Sequence, residues 1–300
     1  MLSYANCHLC PRECGVNRSA GNVGFCGMTD KLRVARASLH HWEEPCISGH
    51  FGSGTVFFSG CALRCGFCQN CEISQENLGA ELTVSQLRDL FLRLIDAGAE
   101  NINLVTPSHF LPSIIPALSP KLPVPVVYNC GGYERVETLK MLEGLVDIYL
   151  PDLKYSDPDL AKTASFAGDY VECAQKAIME MYRQTGSAVL EDGMMKKGVL
   201  IRHLVLPDHV SNSLGVVDWV SETFTRGEVL FSLMRQFTPA GRLKDVPPFH
   251  RGVTEEEYAA VRSWMELCGI KEGYFQEDSA ADGAYIPQFY GTFEEILQDL

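Results

Sequence analysis

Two groups of cysteines carry the chemistry that this sequence announces. One is Gly60-Cys61-Ala62-Leu63-Arg64-Cys65-Gly66-Phe67-Cys68-Gln69-Asn70-Cys71, which follows the apolar run Thr55-Val56-Phe57-Phe58. Thiolates are soft ligands that take iron or zinc. Three of them at spacings x3 and x2, on a loop leaving a buried strand, suit one face of a cubic iron–sulfur cluster. Such a cluster needs four ligands. A tight set of three therefore leaves one iron open to a small molecule. A zinc knuckle is the plainer alternative for the same residues.

The second group is Cys7, Cys10 and Cys14, closed by Cys26 within Gly24-Phe25-Cys26-Gly27. Spacings of x2, x3 and x11 with glycine turns make a four-thiolate cage. Zinc, an auxiliary iron–sulfur cluster and a rubredoxin-like single iron all fit it, and free buried thiols are the remaining alternative. A cage with four protein ligands is closed, hence structural or electron-relaying. Eight of the twelve cysteines fall in these two stretches, both within the first quarter of the chain, and Cys46, Cys130, Cys173 and Cys268 are scattered. That distribution reads as metal ligation rather than a disulfide framework.

Elements that could position these thiols are legible from periodicity. Thr83, with Gln86 three residues on, starts a helix whose apolar face is Leu87, Leu90, Phe91, Leu94 and Ile95. Strands follow at Ile102–Val105, Val124–Tyr128, Val146–Leu150, Val199–Pro207 and Val229–Met234, with a helix at Val136–Leu145 and a long, mostly helical segment over Asp157–Thr185. Near-continuous apolar strands alternating with amphipathic helices mean parallel βαβ units. In any such architecture the polar residues at strand C-terminal ends face the site. Here they are Asn129, Asp152, Lys154, Arg202, His203 and Gln236.

With 300 residues and 46% apolar content the chain can build one large core. It has no run of about 18 apolar residues, so no membrane span is expected. The start, Met1-Leu2-Ser3-Tyr4-Ala5-Asn6-Cys7, lacks the basic and apolar stretches of a secretory signal, which predicts a cytoplasmic protein. A formal net charge of −13 without a basic block argues against nonspecific nucleic-acid binding.

Cys61-x3-Cys65-x2-Cys68, with aromatic Phe67 before the third thiol, resembles the signature of radical S-adenosylmethionine enzymes. Further runs are similar to one branch of that superfamily, the homologs of pyruvate formate-lyase activating enzyme with an N-terminal cysteine motif. They are Cys68-Gln69-Asn70, Tyr149-Leu150-Pro151-Asp152-Leu153-Lys154, Arg202-His203-Leu204-Val205-Leu206-Pro207 and Ser232-Leu233-Met234. The likeness spans about Cys7 to Gly291. It implies an α/β fold, a partial (β/α)6 TIM barrel over residues 51–245. A cysteine-rich, metal-binding extension would occupy 1–50, and a C-terminal helix and tail would pack on the barrel over 246–300.

The resemblance also implies cofactors and roles. Cys61, Cys65 and Cys68 would hold a [4Fe–4S] cluster whose open iron binds S-adenosylmethionine. An electron from the cluster would then break the sulfonium C–S bond, giving methionine and a 5′-deoxyadenosyl radical that abstracts hydrogen. Phe67 matches the aromatic residue beside the adenine, Asp152 and Lys154 match an Asp-Leu-Lys run that helps hold the cofactor, and Arg202 would lie near the ribose or carboxylate. Thr106 stands where the activating enzymes have a Gly-Gly-Glu loop, Asn129 where an aspartate is usual, and Gln236 near a usual histidine. Cys7, Cys10, Cys14 and Cys26 precede the main motif, whereas auxiliary clusters in the activating enzymes follow it. A low-potential electron donor such as flavodoxin or ferredoxin is implied. The substrate stays open between a glycyl radical enzyme and a small molecule or peptide. A noncatalytic iron–sulfur or zinc scaffold is the reading from another class.

Overall fold

The computed structural model describes residues 3–276, 287–298 and 300. Part of the C-terminal tail expected over 246–300 lies outside them. Among the described residues ten strands form one sheet system: β1 (Arg33–His40), β2 (Ser53–Phe58), β3 (Ala80–Glu81), β4 (Ile102–Val105), β5 (Val126–Cys130), β6 (Ile148–Pro151), β7 (Val189–Glu191), β8 (Met194–Leu204), β9 (Leu230–Met234) and β10 (Gly273–Phe275). The principal order is β10-β9-β8-β6-β5-β4-β2-β1-β3. From β2 to β10 every neighbouring pair along it is parallel, while β1 runs antiparallel to both β2 and β3.

That order settles a point periodicity left open. A doubly wound sheet reverses direction at its first strand, but here each crossover steps the same way. Right-handed crossovers then put all the helices on one face, and the twisted sheet curls with its other face inward. The result is a partial barrel, not closed, since β10 and β3 end the order.

The helices include α1 (Pro45–Ser48), α2 (Cys71–Ser74), α3 (Val84–Asp96), α4 (Leu111–Ala117), α5 (Val136–Leu139), α6 (Pro158–Ser165), α7 (Tyr170–Thr185), α8 (Val210–Thr223), α9 (Glu255–Leu267) and α10 (Phe293–Gln298). Both α3 and α9 start on a capping box, Thr83 with Gln86 and Thr254 with Glu257. The helix expected over Val136–Leu145 shortens to α5 and one 3-10 turn. The segment Asp157–Thr185 divides into α6 and α7, broken where Phe166 takes a left-handed conformation at φ 54°. β8 begins earlier than its apolar run because Asp192 and Gly193, both at positive φ, make a tight hairpin with β7.

Strand alternation sorts the core into two layers. Val126, Tyr128, Tyr149, Val199, Ile201, Phe231 and Leu233 pack outward with Leu87, Phe91, Ile178 and Val216 of the helices. Val127, Ile148, Leu150, Leu200 and Leu230 point inward and meet Cys46 and Ile47 of α1, which plugs the barrel's lower end. Asn101 anchors the plug by donating to the Ile47 carbonyl at 2.7 Å and accepting from Ser53. Among the described residues no helix is long and apolar enough to cross a membrane.

Candidate functional site

One layer above those inward apolar residues the same strands turn polar. Val127 is followed inward by Asn129, Leu150 by Asp152, Leu200 by Arg202 and Leu230 by Ser232. These four residues border a cavity of about 480 Å³ at the C-terminal ends of the strands, with Glu43, Glu44, Lys154 and Gln236. Cys65, Phe67 and Cys68 form part of its wall. The cysteine loop and the polar strand ends, far apart in sequence, therefore share one chamber.

Arg202 is the hub of the polar layer. Its Nε donates to Asp152 Oδ1 at 2.9 Å, one Nη to Glu43 Oε2 at 2.9 Å and the other to Asn129 Oδ1 at 2.7 Å. Lys154 Nζ meets the second Asp152 oxygen at 2.6 Å. Burial alone would push the Asp152 carboxyl up, but Lys154 and Arg202 outweigh it and hold the group below the usual carboxylate range. Burial likewise works against a charged Lys154, yet the Asp152 carboxylate and Cys65 keep its pKa raised. Glu43 Oε1 accepts from Asn103 and Asn129, both at 3.2 Å. The neighbouring Glu44 carboxyl is pushed up by burial, with Arg202 opposing, and among the described residues its Oε2 has no hydrogen-bond partner.

The turn presenting Asp152 is held from below. Tyr170 Oη donates within 2.9 Å of the Gly131 and Asp152 carbonyls and accepts from the Lys154 amide. Gly132 sits at φ 79°, where a Cβ would lie 2.1 Å from the Asp152 carbonyl oxygen, so only glycine fits.

Each thiol of the loop accepts a hydrogen bond. The Leu63 amide points at Cys61 Sγ at 3.4 Å, Ser165 Oγ at Cys65 Sγ at 2.9 Å and Ser74 Oγ at Cys68 Sγ at 3.3 Å. Tyr155 backs Ser165 at 2.6 Å. Burial pushes the Cys61 thiol up to about 11 and the Cys68 thiol to about 12, so as thiolates these groups want a cationic partner. Phe67 stacks on Phe249 at 5.8 Å and leans on Phe237, giving the cavity an apolar wall beside the thiols. This donor set, soft sulfur with aligned N–H and O–H donors and an adjoining chamber, fits an iron–sulfur group with one open position.

The remaining expected residues divide between the cavity and the surrounding wall. Thr106 adopts φ 58° and its amide donates to the Asn129 carbonyl at 2.8 Å, which orients that strand end, but it is not among the cavity's lining residues. Gln236 lines the cavity, and its Oε1 accepts from Gln276 at 3.1 Å. His203 is fully buried outward, with Nδ1–H directed at the Leu153 carbonyl and Nε2 accepting from Ser213, and its pKa is lowered by burial to about 4. It is a wall residue. Cys130 also points outward, into the helix-side core. The acidic pair Glu43-Glu44 escaped the sequence reading. Its one signal was the position directly before Pro45, which starts α1, and among 38 acidic residues that does not stand out.

At the N-terminus the four thiols share a neighbourhood. A Cβ on Gly24 would stand 3.6 Å from both Cys14 Sγ and Cys26 Sγ, and the Phe25 amide points at Cys14 Sγ at 3.4 Å. Burial raises the pKa of Cys10 and of Cys26, and the neighbouring thiols add to it. Arg18 is completely buried, with Nη1 3.8 Å from Cys7 Sγ. Among the described residues no group of three or more His, Cys, Asp or Glu side chains is arranged to hold a single metal ion.

No family model matches the chain. It is 29% identical over 265 residues to an uncharacterised protein of Methanocaldococcus jannaschii, covering 85% of this chain and 72% of that protein. Among solved structures it is similar to methylornithine synthase (TM-score 0.49, 13% identity, covering 79% of this chain and 77% of that one). It is also similar to Streptococcus suis SuiB bound to the precursor peptide SuiA (TM-score 0.48, 12% identity). There the match covers 72% of this chain and 46% of SuiB, so the chain spans less than half of that protein. The radical S-adenosylmethionine methyltransferase TsrM from Kitasatospora setae gives a TM-score of 0.44 at 17% identity, over 64% of this chain and 36% of TsrM.

Proposed function

We propose that the chain is a radical S-adenosylmethionine enzyme. The observation that carries this reading is the meeting, in one cavity, of Cys65, Phe67 and Cys68 from the cysteine loop with a buried charged layer at the strand ends. When bound, a [4Fe–4S] cluster and S-adenosylmethionine supply reductive cleavage of a sulfonium carbon–sulfur bond and hydrogen-atom abstraction. The protein's own residues do the rest. Cys61, Cys65 and Cys68 hold the cluster, and the Leu63 amide, Ser165 and Ser74 orient and stabilise the sulfurs. Lys154 and Arg202 offer charge to a carboxylate, while Asp152 fixes both cations in place. Phe67 and Phe237 supply an apolar wall for a base. Asn129 and Gln236 present amides to the polar remainder, and Thr106 acts on Asn129 through the backbone.

Tyr274, Phe275, Gln276 and Pro287 close part of the cavity from the C-terminal side. That favours modification of a small molecule or of a peptide side chain, with activation of a glycyl radical enzyme as the alternative. The reading includes a second, closed metal site at Cys7, Cys10, Cys14 and Cys26, supported by the shared neighbourhood of those thiols. Iron and sulfide analysis after anaerobic reconstitution tests the account. Wild type should carry a [4Fe–4S] cluster whose reduced EPR signal shifts on adding S-adenosylmethionine. The Cys61→Ala/Cys65→Ala/Cys68→Ala variant should lose that signal but keep metal at the N-terminal thiols. An unshifted signal in wild type would favour a noncatalytic scaffold.

A further inference from the structure

Directly outside the cysteine loop the surface carries a cluster that the site does not use. Arg12, Arg64 and Arg242 come from three separate segments and converge around the rings of Phe25 and Phe166. The Arg12 guanidinium lies 4.0 Å from the Phe25 ring centre, and that of Arg242 lies 3.8 Å from the Phe166 ring centre. The two rings meet edge to face at 6.5 Å. Arg64 donates to the Phe25 carbonyl, and Arg242 donates to the Arg64 carbonyl. Phe25 and Phe166 are 36% and 48% exposed.

Three features set this patch apart. Every hydrogen bond these arginines make, among the described residues, goes to a backbone carbonyl and none to a carboxylate. Three cations with no carboxylate hydrogen bond among the described residues thus stand together on a chain of net charge −13. Arg64 and Phe166 both hold left-handed backbone, at φ 52° and 54°, which costs a non-glycine residue energy and persists where the surroundings enforce it. Finally, the patch abuts the thiols. Arg12 Nε binds the Ala62 carbonyl at 2.8 Å, a Cβ on Gly66 would stand 3.0 Å from Arg242 Nε, and Ser165, next to Phe166, donates to Cys65 Sγ.

We infer that this patch is the docking surface for an acidic electron-carrier protein. The inference rests on the iron–sulfur reading of Cys61, Cys65 and Cys68. None of its five residues lines the cavity, so a carrier can sit here while substrate occupies the chamber. Electron transfer falls steeply with distance, and this face brings a partner to the back of the thiol loop. Arginines stacked on exposed rings give such a partner both charge complementarity and an apolar centre. One electron leaves the carrier, which is oxidised by one electron, and the iron–sulfur group takes it. No bond forms or breaks and no proton moves.

The test uses reconstituted protein with reduced flavodoxin as the carrier and dithionite as a small reductant that needs no docking. Arg242→Glu should weaken flavodoxin binding, measured by titration at low salt, about tenfold. It should slow flavodoxin-driven appearance of the reduced EPR signal to match, while leaving dithionite reduction unchanged. Arg242→Gln should fall between, and Arg262→Glu on the exposed side of α9 should do nothing. Wild-type binding should itself weaken as salt rises. Unchanged flavodoxin affinity in Arg242→Glu would overturn the inference, as would an equal loss of dithionite reduction. Wild type that dithionite cannot reduce would instead refute the cluster reading.

Discussion

Removing the Arg202 guanidinium is the sharpest perturbation of the polar layer. It makes three hydrogen bonds of 2.7–2.9 Å to Asp152, Glu43 and Asn129, and all four side chains are largely shielded from water. Arg202→Ala leaves Asp152 with Lys154 alone and Glu43 with amide donors only. Breaking a buried ion pair by deleting one partner costs about 3–5 kcal/mol. Arg202→Lys restores the charge without the fork, so it should recover only part of that. The pH dependence has a fixed sign. In wild type the depressed Asp152 pKa contributes stability above its ordinary 3.8, lost as pH falls through the folded value. In Arg202→Ala the stranded carboxylates are relieved by protonation as pH falls. The gap between the proteins should therefore shrink from pH 7 towards pH 4. Anaerobic guanidinium unfolding followed by circular dichroism measures it. A gap under about 1 kcal/mol at pH 7, or one that widens in acid, would refute the argument.

Two further outcomes follow from other buried groups. Burial raises the Glu134 carboxyl to about 7, although Ser108 and Tyr128 donate to it. Its contribution to stability is complete below about 4.5 and is lost as pH climbs to about 7, by up to ~3 kcal/mol. Glu134→Gln should flatten that stretch of a plot of Tm against pH, and an unchanged slope would refute the assignment. Ser165 donates to Cys65 Sγ, and hydrogen bonds to cluster sulfurs raise the reduction potential. Ser165→Ala should therefore shift the EPR-monitored midpoint to more negative potential, and an unmoved midpoint would remove Ser165 from the tuning shell.

Much of this was legible in the sequence because local rules dominated. The thiol spacings, the Thr83 cap and the apolar strands all kept their places. So did Asn129, Asp152 and Arg202, since a strand's inward face is fixed by its period of two. The rest depended on distant contacts. Nothing local says that Glu43 reaches Arg202, 159 residues away. The Asp192-Gly193 hairpin extended β8, and the left-handed Phe166 split the long helical segment; both are turn effects that apolar periodicity does not report. His203 and Gln236 sit on strand ends alike, yet opposite pleat directions send one into the wall and the other to the cavity.

The most direct test of the central claim is anaerobic and needs no substrate. Reconstituted protein is given dithionite and S-adenosylmethionine, and 5′-deoxyadenosine is quantified beside the Cys61→Ala/Cys65→Ala/Cys68→Ala variant. The account predicts product from wild type and none from the variant. A reduced cluster that S-adenosylmethionine neither perturbs nor consumes, or equal product from the variant, would contradict it.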